Sequence, residues 1–123
     1  MPKPCSALTI VVVDDDASFR SGLAEIFHDD GHRVHAFADP PHVSALAELD
    51  VSLVITDYRM AAIDGVAFAD GVHARLPHVP VLLVTAYWAP EVDRAVAERH
   101  YLSLYRKAVA YDELHALVHE LAG

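Results

Sequence analysis

Cysteine and glycine are both scarce in this sequence, and each shortage excludes a class of protein. The chain has a single cysteine, Cys5, among 123 residues, so no intrachain disulfide can form and an intracellular setting is favoured. Its five glycines match neither the G-x-G-x-x-G pattern nor the Walker loop. Because those loops bring backbone N–H groups against phosphates, nucleotide-binding classes that depend on them are excluded.

Positive charge is also in short supply. Nine lysines and arginines face 18 aspartates and glutamates, which gives a formal net charge of −9. This balance disfavours nonspecific binding to nucleic acid or to an anionic membrane surface. The apolar segment 7–13 is too short to span a bilayer and runs into three aspartates instead of a cleavage site. We therefore expect a cytoplasmic protein without direct nucleic-acid or membrane partners.

Hydrophobic residues, in contrast, make up 54% of the chain, enough for a core without disulfide or metal support. The length predicts one domain, residues 1–123. Short apolar runs alternate five times with segments of helical periodicity. The predicted strands are Leu8–Val13, Arg33–Phe37, Val51–Thr56, Val79–Val84 and Leu102–Arg106, and the predicted helices are Ser18–Asp30, Pro40–Leu49, Asp64–Leu76, Ala89–His100 and Tyr111–Ala122. This alternation predicts an α/β fold with a doubly wound, five-stranded parallel sheet.

Polar side chains follow four of the five predicted strands. In open α/β sheets, functional groups collect at the carboxyl ends of the strands. We therefore expect three carboxylates, one hydroxyl and one ammonium to share one edge of the sheet. These are Asp14 and Asp15 after the first strand, Asp57 after the third, Thr85 after the fourth and Lys107 after the fifth.

This combination indicates a site for a divalent cation and a phosphoryl group. The adjacent carboxylates of Asp14 and Asp15 repel each other, and a cation lets both stay ionised. Mg²⁺ prefers oxygen ligands and is often shared between carboxylates and a phosphate. An aspartate can act as the nucleophile that forms an acyl phosphate. The simpler alternative is an acid run at a helix N-terminus, a role that we assign to Asp16.

The motifs around these residues resemble the receiver domain of two-component response regulators. They are V-V-V-D-D-D (Val11–Asp16), V-I-T-D-Y-R-M-x-x-x-D-G (Val54–Gly65), L-V-T-A-Y (Leu83–Tyr87) and Y-R-K (Tyr105–Lys107). Nearly the whole chain takes part in the resemblance, from Thr9 to Leu121. The resemblance implies a (βα)5, flavodoxin-like fold with strand order 2-1-3-4-5, an order that chemotaxis receivers exemplify.

The resemblance also implies a function and a role for each site residue. A sensor histidine kinase or phosphotransfer protein would donate a phosphoryl group, so the chain would be a signalling switch and not an enzyme. A homodimer through the fourth helix, fifth strand and fifth helix would be compatible with it. Asp57 would be the phosphoacceptor. Asp15 and Asp57 would bind Mg²⁺ directly, Asp14 would bind it through water, and the Arg59 carbonyl would be a further ligand. Thr85 and Lys107 would contact the phosphoryl group.

Three positions depart from the family pattern. Ala108 follows the lysine where proline is usual, Leu104 replaces the aromatic switch residue, and the segment Arg99–Tyr101 replaces small residues. Leu104 has no ring that could rotate between buried and exposed positions. We therefore expect phosphorylation to change the loop Thr85–Trp88 more than the surface at Leu104. Tyr105 should face the opposite side of the sheet, because adjacent strand residues alternate.

Two other functions stay open at this point. The chain could be a degenerate receiver that only docks other proteins, or a Mg²⁺-dependent phosphohydrolase with an aspartate nucleophile. The second normally needs an acid/base carboxylate two residues after the nucleophile, where this chain has Arg59. His115 and His119 share a helix face at a spacing that can bind Zn²⁺, but the H-E-x-x-H pattern is absent. We expect both to be solvent-exposed.

Overall fold

The computed structural model describes residues 7–60, 63–87, 89–107 and 111–122. Its strands are β1 (Thr9–Val13), β2 (Arg33–Phe37), β3 (Leu53–Thr56), β4 (Val81–Thr85) and β5 (Leu102–Arg106). Its helices are α1 (Ala17–Asp29), α2 (Val43–Ala47), α3 (Gly65–Arg75), α4 (Pro90–Ala97) and α5 (Tyr111–Ala122). None of these helices is both long and apolar enough to cross a membrane.

The five strands form one parallel sheet in the order β2-β1-β3-β4-β5. The predicted fold class and the strand order implied by the resemblance are therefore confirmed. β1 lies between β2 and β3, so Val11 pairs with His35 on one side and with Val54 on the other. The chain order reverses next to β1, and this is the position where open α/β sheets form their crevice.

The helices cover both faces of the sheet, and each strand divides its side chains between them. Ile10 and Val12 point to the face covered by α1 and α5, while Val11 and Val13 point to the face covered by the other three helices. All four side chains are fully buried. This alternation follows from the period of two in a strand. It explains why β1 reads as an unbroken apolar run: both of its faces lie in a core.

The predicted boundaries differ from the observed ones mainly at α2 and α4. α2 begins at Val43 and has five residues instead of the ten predicted from Pro40. Neither proline can donate a backbone hydrogen bond, and no side chain caps the helix at His42. α4 begins at Pro90, whose fixed φ suits the first helical position, and ends at Ala97 rather than at His100. The other elements agree within about two residues, as is usual.

The ends of α1 follow from two local signals. The side chain of Asp16 accepts hydrogen bonds from the N–H groups of Ser18 and Phe19, so its predicted capping role is confirmed. After the helix, Gly31 has φ +90°, a conformation that favours glycine. Asp30 lies between the helix and this glycine, at the C-cap. The turn fixes the direction in which the chain enters β2.

The segment that replaces small residues before β5 ties that strand to α3. The Arg99 guanidinium forms two hydrogen bonds with the Asp70 carboxylate, at 2.7 and 3.1 Å. The Tyr101 hydroxyl donates to the same carboxylate. The Tyr101 ring stacks on His73, with ring centroids 3.8 Å apart. These contacts lower the pKa of Asp70, chiefly through the hydrogen bond from Arg99.

This network should make part of the stability depend on pH. A carboxyl whose pKa is lowered by folding stabilises the native state above its unfolded pKa, and this contribution disappears as the pH falls through the folded value. We expect Asp70→Asn to lower the free energy of unfolding at pH 7. The difference from the wild type should shrink below pH 3.8, the ordinary pKa of the group. Urea denaturation across this range measures it.

Glu25→Gln is the matched control for this experiment, because Glu25 is an exposed carboxylate on α1. We expect it to leave the free energy of unfolding nearly unchanged. A difference for Asp70→Asn that stays constant from pH 7 to pH 3 would contradict the assigned role of its charge.

Candidate functional site

The acidic residues lie where the hydrogen-bonded ladder of the sheet ends. The Asp14 N–H donates to the Phe37 carbonyl at 3.0 Å, and the Asp57 N–H donates to the Val13 carbonyl at 3.0 Å. Each bond extends the parallel pairing by one residue beyond the strand. The backbone of both aspartates is therefore fixed by the sheet, and their side chains emerge at its carboxyl edge.

Three carboxylates meet at this edge. Asp14, Asp15 and Asp57 each place one carboxylate oxygen within 4.8 Å of the others. Asp14 is buried and Asp15 is exposed, so the cluster extends from the core to solvent. One carboxylate oxygen of Asp57, Oδ1, accepts a hydrogen bond of 2.7 Å from the Tyr58 N–H. That bond orients the Asp57 carboxylate with its second oxygen free to face the cluster.

Lys107 brings the compensating positive charge. Its ammonium lies 2.9 Å from Asp14 Oδ2 and 3.6 Å from Asp57 Oδ2. The backbone helps to place it, because the Lys107 N–H donates to the Thr85 carbonyl at 2.9 Å. The ammonium also lies 4.6 Å from the centre of the Phe19 ring on α1. One cation thus contacts two carboxylates that belong to different strands.

The pKa shifts show that burial and charge oppose each other here. Burial raises the pKa of Asp14, although the hydrogen bonds from Lys107 and from the Asp16 N–H act in the opposite direction. Burial would lower the pKa of Lys107, but the hydrogen bond and the charge of Asp14, with the charge of Asp57, raise it overall. The lysine therefore remains protonated at neutral pH, and loss of Lys107 would raise the pKa of Asp14 further.

Thr85 and Arg59 lie at the same edge but make local contacts. The Thr85 side chain is buried, and its hydroxyl oxygen accepts a 3.0 Å hydrogen bond from the Tyr87 N–H. The Arg59 guanidinium lies 3.7 Å from the centre of the Tyr87 ring. Tyr58 and Tyr87 stack with an angle of 5° between their planes. Tyr58, Arg59 and Tyr87 thus form an aromatic and cationic surface from residues that closely follow Asp57 and Thr85 in the sequence.

One residue at the site was missed by the sequence analysis. Arg20, in the first turns of α1, donates a 2.6 Å hydrogen bond from Nη1 to the Asp14 carbonyl. A second positive group therefore holds the backbone of the acidic segment. The available signal was an arginine four residues after the capping Asp16, on a helix that must pack beside the acid run. Of the predicted positions, Trp88 and Ala108 lie outside the described residues.

The donor set fits a hard divalent cation. Asp14, Asp15 and Asp57 offer only oxygen ligands, within the span that a single ion can bridge. Mg²⁺ prefers such ligands and keeps several waters, and the exposed side of the cluster at Asp15 leaves room for them. Lys107 occupies the buried side against Asp14. The residues present are therefore compatible with Mg²⁺ on the solvent side of the cluster.

Gly65 connects this edge to α3. A Cβ at this position would lie 2.2 Å from the Asp57 carbonyl oxygen and 2.5 Å from Leu83 Cδ1. The Gly65 N–H donates to the Tyr58 carbonyl at 2.7 Å, and Asp64 caps the helix by accepting from the Ala67 N–H at 2.8 Å. The helix therefore begins in contact with the backbone of Asp57. Only a residue without a side chain fits there.

Comparison with known protein families identifies one family, whose model covers most of the chain. The model of the response regulator receiver domain matches residues 10–119. Among curated proteins, the response regulator protein FleR of Pseudomonas aeruginosa is 38% identical over 91 residues, which are 73% of this chain and 19% of FleR. The cyclic di-GMP phosphodiesterase response regulator RpfG of Xanthomonas campestris is 32% identical over 115 residues, 89% of this chain and 30% of RpfG.

Solved structures show the same fold. The chemotaxis protein CheY4 of Vibrio cholerae superimposes with a TM-score of 0.84 at 19% identity, over 94% of this chain and 99% of CheY4. A CheY-like receiver domain protein of Methanospirillum hungatei gives a TM-score of 0.79 at 22% identity, over 94% of each chain. The curated relatives are longer, and this chain spans less than a third of FleR and of RpfG.

Two glycines of α3 allow a test of the contact between that helix and the acidic edge. Gly65→Ala should lower the free energy of unfolding by about 1–3 kcal/mol, since its Cβ overlaps the Asp57 backbone. Gly71→Ala places a Cβ 3.6 Å from Val43 Cγ2, an ordinary contact, and should raise stability by about 0.5–1 kcal/mol through helix propensity. Urea denaturation measures both. Equal effects of the two changes would refute the close approach.

Proposed function

Because the chain belongs to the response regulator receiver domain family, we propose that it is a phosphorylation-dependent switch with Asp57 as the phosphoacceptor. In this proposal the phosphoryl donor is a sensor histidine kinase or a phosphotransfer protein. The observation that carries the assignment is the position of Lys107, whose ammonium contacts both Asp14 and Asp57. A fixed ammonium at this distance can neutralise charge on a phosphoryl oxygen during transfer.

The surroundings of Asp57 support its role as the nucleophile. The Tyr58 N–H holds Oδ1, which leaves Oδ2 on the side of Lys107. In the transfer, an oxygen of the Asp57 carboxylate forms a bond to phosphorus while the bond between phosphorus and the donor nitrogen breaks. Lys107 keeps its proton through this step, because its pKa is raised. The hydroxyl of Thr85 donates to a phosphoryl oxygen once the group is present.

When bound at this site, Mg²⁺ would supply charge neutralisation for the phosphoryl oxygens. We assign Asp15 and Asp57 as direct ligands, Asp14 as a ligand through water, and the Arg59 carbonyl as the remaining protein ligand. The oxygen atoms of the three carboxylates, within 4.8 Å of one another, support this assignment. Asp14 has an ion pair with Lys107, so its main function is to hold the lysine and one water.

The response to phosphorylation should differ from the usual relay. Leu104 packs on the face of the sheet covered by α2, α3 and α4, whereas Tyr105 packs with α1 and α5 and donates to Glu113 at 3.0 Å. The prediction that Tyr105 faces the opposite side is therefore confirmed. Because Tyr105 is directed away from Leu104, it cannot replace the missing aromatic. We propose that phosphorylation changes the conformation of the loop Thr85–Trp88 more than the surface at Leu104.

The rest of the signalling context is proposed from the family. Receiver domains are phosphorylated in the cytoplasm, and we place this chain there. The curated relatives FleR and RpfG are several times longer. We propose that the signal passes either to another part of the same protein or to a separate partner. A homodimer through α4, β5 and α5 is compatible with this function. Residues 1–123 form the receiver domain in this proposal.

The alternative functions are weaker on specific grounds. A phosphohydrolase with Asp57 as nucleophile would need an acid/base carboxylate at position 59, where the Arg59 guanidinium lies against Tyr87. A receiver used only for docking would have no need for the ion pairs of Lys107 with Asp14 and Asp57. The matching family model is that of a receiver domain, and the phosphodiesterase RpfG is matched over only 30% of its length.

Phosphorylation by a small donor tests the acceptor. With acetyl phosphate and Mg²⁺, intact-mass analysis should show one phosphate adduct per chain, and Asp57→Asn should abolish it. Asp39→Asn is the control, since Asp39 is an exposed carboxylate just after β2 at the same end of the sheet. Lys107→Ala should reduce the rate of adduct formation by about 10²-fold or more, on the scale of losing one preorganised donor. An adduct that persists in Asp57→Asn would disprove the assignment.

Metal binding tests the division of roles among the carboxylates. Mg²⁺ should bind weakly, because few protein ligands leave several waters on the ion. Asp15→Asn should abolish binding measured by calorimetry, whereas Asp14→Asn should only weaken it, because its contact runs through water. Asp39→Asn should leave the affinity unchanged. Equal losses for Asp14→Asn and Asp15→Asn would refute the distinction between direct and water-mediated ligands.

A further inference from the structure

A second cluster of metal-binding side chains lies at the opposite edge of the sheet. The Nε2 atoms of His115 and His119, one turn apart on α5, lie 3.1 and 3.0 Å from Oδ2 of Asp30. Asp30 is the C-cap of α1, at the amino end of the strands. The prediction that both histidines are solvent-exposed holds only in part, because 33% of the His115 side chain and 27% of the His119 side chain are accessible and both rings contact Asp30.

The distances match those between ligands of a single tetrahedral ion. Zn²⁺ lies 2.0–2.2 Å from histidine nitrogen and carboxylate oxygen, so two ligands of a tetrahedral site are about 3.3 Å apart. His115, His119 and Asp30 each offer one donor atom, and all three atoms lie within 4.8 Å of one another. Two histidines at i and i+4 on one helix face are a common source of zinc ligands.

The rings are also held in place by their neighbours. The His115 ring stacks on Phe27 of α1 at an angle of 8° between the planes. His32, which is buried, lies behind the cluster with its Nε2 3.2 Å from Asp30 Oδ2 and 3.4 Å from His119 Nε2.

His32 itself belongs outside the ligand set. Its Nδ1 accepts a 2.9 Å hydrogen bond from the Leu8 N–H, so in the neutral ring the proton is on Nε2. A protonated nitrogen has no lone pair for a metal. His32 therefore contributes an N–H donor facing Asp30, the kind of contact that orients a ligating carboxylate.

We propose that Asp30, His115 and His119 bind one Zn²⁺ ion, with water in the fourth position. Two imidazoles and one carboxylate suit Zn²⁺ and related first-row transition metals. Mg²⁺ and Ca²⁺ prefer sets made of oxygen only, so the two edges of the sheet bind different ions. The bound ion links the end of α1 to α5. This site is independent of the proposed phosphorylation of Asp57.

The test uses untagged protein in excess Mg²⁺, so that neither a histidine tag nor the acidic cluster competes. Calorimetry should show one Zn²⁺ per chain, and Co²⁺ should give the visible absorption of a four-coordinate complex. Asp30→Asn, His115→Gln and His119→Gln should each weaken Zn²⁺ binding by at least about 10-fold. Asp29→Asn and His28→Gln, which change exposed neighbours on α1, should have no effect.

Two further measurements keep the result unambiguous. Circular dichroism should show that every variant is folded, and Zn²⁺ should raise the urea midpoint of the wild type but not of Asp30→Asn. Binding that disappears in Asp15→Asn would assign the ion to the acidic cluster and overturn the proposal. Absence of stoichiometric binding, or equal losses in the Asp29→Asn and His28→Gln controls, would overturn it as well.

Discussion

The repulsion among buried carboxylates at one edge of the sheet is the constraint to which the rest of this structure is adapted. Asp14 is buried within 4.8 Å of Asp15 and Asp57, an arrangement that is unfavourable without positive charge. Lys107 provides that charge from β5, two strands away from β3. The order of the strands is therefore also the arrangement that lets one ammonium contact both aspartates.

The departures from the family pattern have a structural counterpart on the side of β5. Where small residues are usual, Arg99 and Tyr101 bind Asp70 of α3, and Tyr101 stacks on His73. At the other end of the strand, Arg106 pairs with Asp93 of α4 at 2.9 Å. The fifth strand is thus attached to two helices by charged contacts. Leu104 of this strand packs against the core between these two attachments. It occupies the position that the aromatic switch residue has in the family pattern.

The fold and the acidic edge could be predicted because they depend on periodicity and on chain order. Apolar runs such as Val11–Val13 specify buried parallel strands, and their carboxyl ends must meet. Contacts that depend on side-chain reach could not be predicted. Arg20 returns to the Asp14 carbonyl, and Asp30 meets His119 from a point 89 residues away. The first contact spans only six residues but depends on the reach of the arginine side chain, whereas the second needs the packing of α1 beside α5.

The close approach of Gly65 to the backbone of Asp57 has a consequence for cooperativity. The first N–H groups of a helix usually lack partners and exchange rapidly with solvent, because helix ends fray independently of the core. Here the first N–H of α3 is bonded to the Tyr58 carbonyl, one residue after Asp57. The start of this helix can open only when the segment after β3 opens with it. We therefore expect Asp57 and the start of α3 to open together, as parts of one folding unit.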